Sequence, residues 1–290
     1  MAKAELTILN SMASADFEES MRRHREWGLT WVDLRDAIYG RRVEELDPSQ
    51  AREAKALLDD LGLSVYCAST NVFVEEVAHG EAAFREHLQT LRKVMELCAI
   101  LRPRLVRLNA ADFAERSADA NSVRVIKEHY PWFVDVYRDG VDMVAAHGMV
   151  ATIENEAFDT SLSKPEEFVE FFRWLDRADG AGLTWDVQNQ WSSGVFPSLE
   201  VYRQLKPFMR YYHVKGGQTE PGSTELAWNV ALQDASWPVT EITSAVVKDG
   251  VSPVICLNQP QHGAQKDGYD YDGIVERDLA FLRSAVAGLS

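Results

Sequence analysis

Short runs of β-branched and aromatic residues recur along the chain, and between them apolar positions return every three or four residues. The short runs read as strands at 6–9, 31–34, 64–68, 105–108, 150–153, 182–185, 211–214 and 253–257. The longer, one-faced stretches read as helices at 16–27, 49–61, 81–101, 122–147, 164–178, 198–206, 241–248 and 271–287. The stretch 164–178 shows the grammar. Ser163 is placed to cap free N–H groups, Pro165 suits a first turn, and Glu166 and Glu167 suit the positive end of the helix dipole. Phe168, Phe171, Phe172 and Leu175 then fall on one face. Gly28, Gly62 and Gly148 each follow a helix by a residue or so, as an α-to-β turn requires.

Strict alternation of strand and helix implies parallel pairing through right-handed crossovers. A closed (β/α)₈ barrel, one TIM-barrel domain spanning 1–290, satisfies this without leaving sheet edges. The competing open doubly wound sheet lacks a Gly-rich phosphate loop after its first strand. The longest irregular stretch, 216–238, has the length of a lid or binding loop.

Composition narrows the function. The chain of 290 residues is 46% hydrophobic, ample for a large core, and its formal net charge of −15 repels nucleic acid and anionic membrane alike. Cys67, Cys98 and Cys256 show no metal or redox spacing and read as reduced and buried. Neither a leader segment nor a run of ~20 apolar residues is evident, so a cytoplasmic location is expected. Self-association is left open.

In such a barrel, chemistry sits where strands end and βα loops begin. The ends of the last four strands carry Glu154, Asp186, His213 and Asn258. Singly, a strand-end carboxylate can be a helix cap and a lone histidine a satisfied core residue. Together, two carboxylates, an imidazole and an amide oxygen make a donor set suited to a divalent metal such as Mn²⁺, Co²⁺ or Mg²⁺.

The runs Thr152-Ile-Glu-Asn, Leu183-Thr-Trp-Asp-Val-Gln-Asn and Tyr212-His-Val-Lys, with Val32-Asp-Leu-Arg on strand two, resemble the sugar phosphate isomerase/epimerase superfamily of xylose-isomerase-like barrels. The resemblance spans essentially the whole chain. It implies that Glu154, Asp186 and His213 are metal ligands and that Glu154 doubles as a proton-transfer base. Asn189 falls where epimerases often have a substrate-binding His, and Lys215 matches the basic residue after the ligand His. Strand eight departs from the pattern: Asn258 (or Gln259) stands where epimerases have a second Glu. An amide cannot act as the second base of a two-face epimerisation, and one ligand charge fewer weakens the hold on an ion.

The implied activity is metal-dependent isomerisation or elimination on a small polyhydroxylated substrate: a sugar, cyclitol or sugar-derived acid. Lys215 or His262 would supply the acid. Gln188, Asn189, Trp191, Arg35 and Asn109 are the expected substrate contacts, with Trp191 as an apolar wall. Arg35 could equally pair with Asp36 or Glu154, and Glu156 shares the face of Glu154 only if the strand runs through it. The alternative is a non-catalytic sugar-binding or assembly subunit that has lost part of the site through Asn258. A third reading, an abasic-site nuclease, sits poorly with the acidic charge and only seven histidines.

Overall fold

The computed structural model describes residues 3–117, 120–157, 159–220, 225–228, 230–258 and 271–290, the side chains of 271 and 272 excepted. Eight strands, β1 Glu5–Ile8, β2 Trp31–Leu34, β3 Ser64–Ser69, β4 Leu105–Asn109, β5 Val150–Glu154, β6 Ala181–Asp186, β7 Met209–Val214 and β8 Val254–Leu257, form one sheet. Its order is β1-β8-β7-β6-β5-β4-β3-β2, with every strand pairing parallel. A parallel bridge from Leu9 to Asp33 joins the two outer strands, so the sheet curls round into the expected barrel. At Gly182 on β6 a Cβ would meet Phe208 O at 2.8 Å, so only glycine lets β6 approach the start of β7 this closely.

The surrounding helices are α1 Asn10–Ala13, α2 Phe17–Glu26, α3 Pro48–Asp60, α4 Glu81–Leu101, α5 Ser122–His129, α6 Phe133–Ala146, α7 Pro165–Leu175, α8 Val187–Ser192, α9 Leu199–Leu205, α10 Val239–Asp249 and α11 Tyr271–Ala285. Pattern placed α2, α3, α4, α7, α9, α10 and α11 within a few residues. The single helix expected at 122–147 is two. Tyr130 leaves helical geometry (φ −130°, ψ 59°) because the ring of Pro131 crowds the residue before it. The cap expected of Ser163 is also absent. Glu167, inside the first turn of α7, reaches back to accept from the N–H groups of Ser163 (3.0 Å) and Lys164 (2.9 Å).

Apolar side chains fill the layer between barrel and helices, where Phe73, Phe84, Phe133, Tyr137 and Phe171 pack ring to ring. The three cysteines are buried and free, and among the described residues no helix is long and apolar enough to cross a membrane. Inside the barrel the filling is different. Asp33 on β2 accepts from the Tyr211 hydroxyl of β7 at 2.9 Å across the interior, and Arg107 on β4 is paired with Glu154 on β5. These four side chains, with Ser69 and His213, are almost wholly shut off from water. Burying charge costs several kcal/mol per ion unless each finds its partner, so a barrel packed this way carries more than structure.

Candidate active site at the C-terminal mouth of the barrel

Asp186 ends β6 and also starts α8, and its two oxygens divide the work. Oδ1 caps the helix, accepting from Gln188 N (3.1 Å) and Asn189 N (3.0 Å). That fixes the carboxylate and leaves Oδ2 facing the mouth. The helix-cap reading of this strand-end carboxylate holds, and it uses only one of the two oxygens.

Three strands deliver donors to one point. His213 Nδ1 lies 2.8 Å from Glu154 Oε1 and 3.9 Å from Asp186 Oδ2, and one ligand atom from each residue falls within 4.8 Å of the others. Asn258, just past β8, places Nδ2 3.0 Å from Asp186 Oδ2 and 3.3 Å from His213 Nδ1. Its Oδ1 is buried without a hydrogen-bond partner among the described residues. Two carboxylates and an imidazole that converge on one point, with a carboxamide beside them, fit a divalent ion of hard to borderline character. A second cluster lies behind it, where Asp33, His213 and Cys256 come together on the other side of the same imidazole.

Two cations border the donors. Arg107 bonds Glu154 Oε2 and donates to Thr70 O at 3.0 Å, while Lys215 Nζ reaches Asp186 Oδ2 at 2.7 Å and Asn189 Oδ1 at 3.2 Å. Burial alone would push the Glu154 carboxyl up, but the charges of Arg107, His213 and Lys215 prevail and hold it well below the usual range. Glu156, two residues on, behaves oppositely: burial and then the charge of Glu154 push it up, against the pull of Arg107, Lys215 and Arg35. Burial also raises Asp33, opposed by His213, Ser69, Arg107 and Tyr211.

The amide of Asn189 joins two of these groups. Its Oδ1 accepts from Lys215, while its Nδ2 donates to Asn155 O at 3.0 Å and lies 3.4 Å from Glu156 Oε2. Gln188 spends its Nε2 on the loop after β7, donating to Gly216 O and to Trp228 O (3.1 Å), with Oε1 left unpartnered. That loop is tied down at both ends. A Cβ on Gly216 would lie 1.6 Å from Val230 O, Ser236 N donates to Gly217 O at 3.0 Å, and Trp237 Nε1 donates to Lys215 O at 3.2 Å. Gln218 and Ala227 exchange backbone bonds of 3.1 and 2.8 Å between these ties.

Trp191 meets Phe196 edge to face at 5.2 Å and lies over Gly217, where a Cβ would touch its ring at 3.0 Å. Arg35 sits 3.8 Å from Asp36, and Glu154 has Arg107 as its arginine partner instead. Asn109 is buried, with Nδ2 given to Thr70 O at 2.8 Å and Oδ1 unpartnered. His262 and Gln259 lie outside the described residues. Arg107, Asp33 and Tyr211 were not anticipated as members of the constellation. Their signal was there: each is a polar residue in an apolar strand, two positions before Asn109, Arg35 or His213 and thus on the same face.

Solved structures with the same architecture were found at low identity. The "IOLI protein with a binding zinc atom" superposes with a TM-score of 0.75 at 14% identity, covering 99% of this chain and 98% of its own. The probable 3-DHS dehydratase AsbF of Bacillus anthracis gives 0.70 at 16%, covering 97% and 98%. A D-allulose 3-epimerase from Methylomonas sp. gives 0.70 at 13%, covering 99% of both chains. At these identities the likeness is one of fold. Among curated protein sequences none matches the chain. The sequence profile of the xylose isomerase-like TIM barrel matches residues 21–285, nearly the whole barrel, and the chain belongs to that family.

Proposed function

We propose that the protein is a divalent-metal-dependent enzyme that isomerises or dehydrates a small polyhydroxylated carbonyl compound by removing a proton beside the carbonyl. The observation that carries this reading is the meeting of Glu154, Asp186 and His213 from three consecutive strands at one point of the mouth. These residues, with Asn258, would hold the ion. When bound, it supplies polarisation of the substrate's carbonyl and hydroxyl oxygens. Fold relatives that include a dehydratase and a ketose epimerase support the same class of chemistry.

Glu154 is spoken for by Arg107 and His213, and a carboxylate held so far below its usual range is a poor base. Proton abstraction therefore falls to Glu156, which is half-buried at the mouth. Lys215 faces it across the Asn189 amide and is placed to hand a proton to the substrate oxygen as charge develops there. Trp191 and Phe196 offer an apolar wall for the carbon face of the substrate. An amide at position 258 cannot serve as the second base of a two-face epimerisation, which favours isomerisation or elimination.

The test is a panel of ketoses, inososes and sugar acids incubated in D₂O with Mn²⁺, scored for deuterium beside the carbonyl. Glu156→Gln should retain the metal yet slow exchange by about 10²–10⁴-fold, the usual cost of a lost positioned base. If the parent protein exchanges nothing and holds no metal, the enzyme reading gives way to that of a binding subunit.

A further inference from the structure

The two nitrogens of the His213 ring face different worlds. Nδ1 looks into the proposed metal cluster, 2.8 Å from Glu154 Oε1. Nε2 looks inward, is fully buried and has no hydrogen-bond partner among the described residues; Asp33 Oδ2 lies 3.8 Å from it. Asp33 is firmly seated. Its Oδ1 accepts from Ser69 Oγ at 2.6 Å and its Oδ2 from the Tyr211 hydroxyl at 2.9 Å. The Tyr211 ring stands edge-on to the imidazole, 4.6 Å between centroids at 83°, and so holds the ring's tilt.

An imidazole that ligates through Nδ1 must keep its proton on Nε2, and that proton needs an acceptor. Around Nε2 the side chains of β2, β7 and β8 present Asp33, Tyr211 and Cys256. Tyr211 already donates its proton to Asp33, and a thiol is a weak acceptor beside a carboxylate. Asp33 is the remaining candidate, a carboxyl group about 0.8 Å beyond ordinary N–H···O distance. We propose that Asp33, on the opposite side of the barrel, is the positioning residue that fixes the His213 tautomer with its proton on Nε2 and thereby frees Nδ1 for the metal. Ser69 and Tyr211 hold that carboxylate in place. This inference rests on the metal-dependent reading above.

The experiment joins a Mn²⁺ titration to ¹⁵N spectra of histidine-labelled protein loaded with diamagnetic Zn²⁺, His213 being assigned by its loss in His213→Gln. In the parent protein the His213 proton should be on Nε2. Asp33→Asn should weaken Mn²⁺ binding by about 10–100-fold, the usual cost of a lost supporting group, and erase the single Nε2–H signature. Cys256→Ser should leave both readouts unchanged. A parent in which Nε2 carries the metal overturns the proposal without any variant, even if Asp33→Asn does not fold. Equal Mn²⁺ affinity in parent and Asp33→Asn overturns it too. A parent that binds neither Mn²⁺ nor Zn²⁺ overturns the metal-dependent reading instead.

Discussion

Glu154 and Glu167 are both shut away from water and each meets an arginine, yet the two carboxylates are held in different ways. Glu167 accepts from Ser122 N (2.9 Å), Ser163 N (3.0 Å), Lys164 N (2.9 Å) and Arg116 Nη1 (3.0 Å). Three of these donors are backbone groups at the starts of α5 and α7. They cannot leave without unwinding a helix. Among the described residues Glu154 meets side chains alone, those of Arg107 and His213, and Asp186 brings a further carboxylate close by. A buried carboxylate saturated by backbone N–H groups is scaffold; one surrounded by side chains from separate strands can exchange partners, which binding and chemistry require.

Five substitutions test and extend that distinction. The largest effect is expected at Glu154→Gln: Mn²⁺ retention, measured by metal analysis after dialysis, should drop by more than the roughly 10–100-fold seen when a mere supporting group is lost. Glu167→Gln should hold its metal unchanged, and a matching loss in both would erase the contrast. Next, Glu167→Ala takes the acceptor from three N–H groups and the counter-charge from Arg116, which keeps Ser122 Oγ and Thr160 O. Urea unfolding should show about 3–5 kcal/mol of lost stability, the usual cost of breaking a buried ion pair from one side.

Asn258→Glu should move the opposite way. A third carboxylate beside Asp186 raises the charge facing the ion, and Mn²⁺ affinity should rise about tenfold, or ~1.4 kcal/mol. An unchanged constant would mean that position 258 faces elsewhere. The smallest effect concerns a second fully buried histidine, His24, whose ring, unlike that of His213, faces backbone oxygens: Ser20 O at 2.7 Å and Ile8 O at 3.3 Å. Burial depresses its pKa despite those carbonyls. The unfolded chain therefore binds the extra proton first. The contribution of neutral His24 is fully present above about pH 6.5 and is lost as the pH falls below it. The stability difference between parent and His24→Gln should shrink on going from pH 7.5 to 5.5; a constant difference would contradict it.

The strands and most helices were legible because they obey local rules of period and punctuation. The metal candidates were legible too, since a polar residue closing an apolar strand stands out. What stayed hidden depends on closure of the barrel. Asp33 and Tyr211 are 178 positions apart, and their hydrogen bond exists only because β2 and β7 face each other across the interior. Arg107 was hidden for a related reason: within its strand it is one odd charge, and its meaning comes from the register that sets β4 beside β5. Glu167 was read as a dipole partner at a helix start, which its sequence position warrants. Its service to a second helix, α5, could not be seen along the chain.

The loop after β7 leaves the barrel at Gly216 and is fastened at 230, 236 and 237 before α10 begins. Its fastenings use main-chain atoms, the Gln188 amide and the Trp237 indole, and Gln218 and Ala227 exchange backbone bonds within it. Ties of this kind do not depend on most of the side chains the loop carries. Those side chains can be swapped while Lys215 stays anchored through its own carbonyl, so selection or an engineer can vary the surface beside the mouth without moving the lysine.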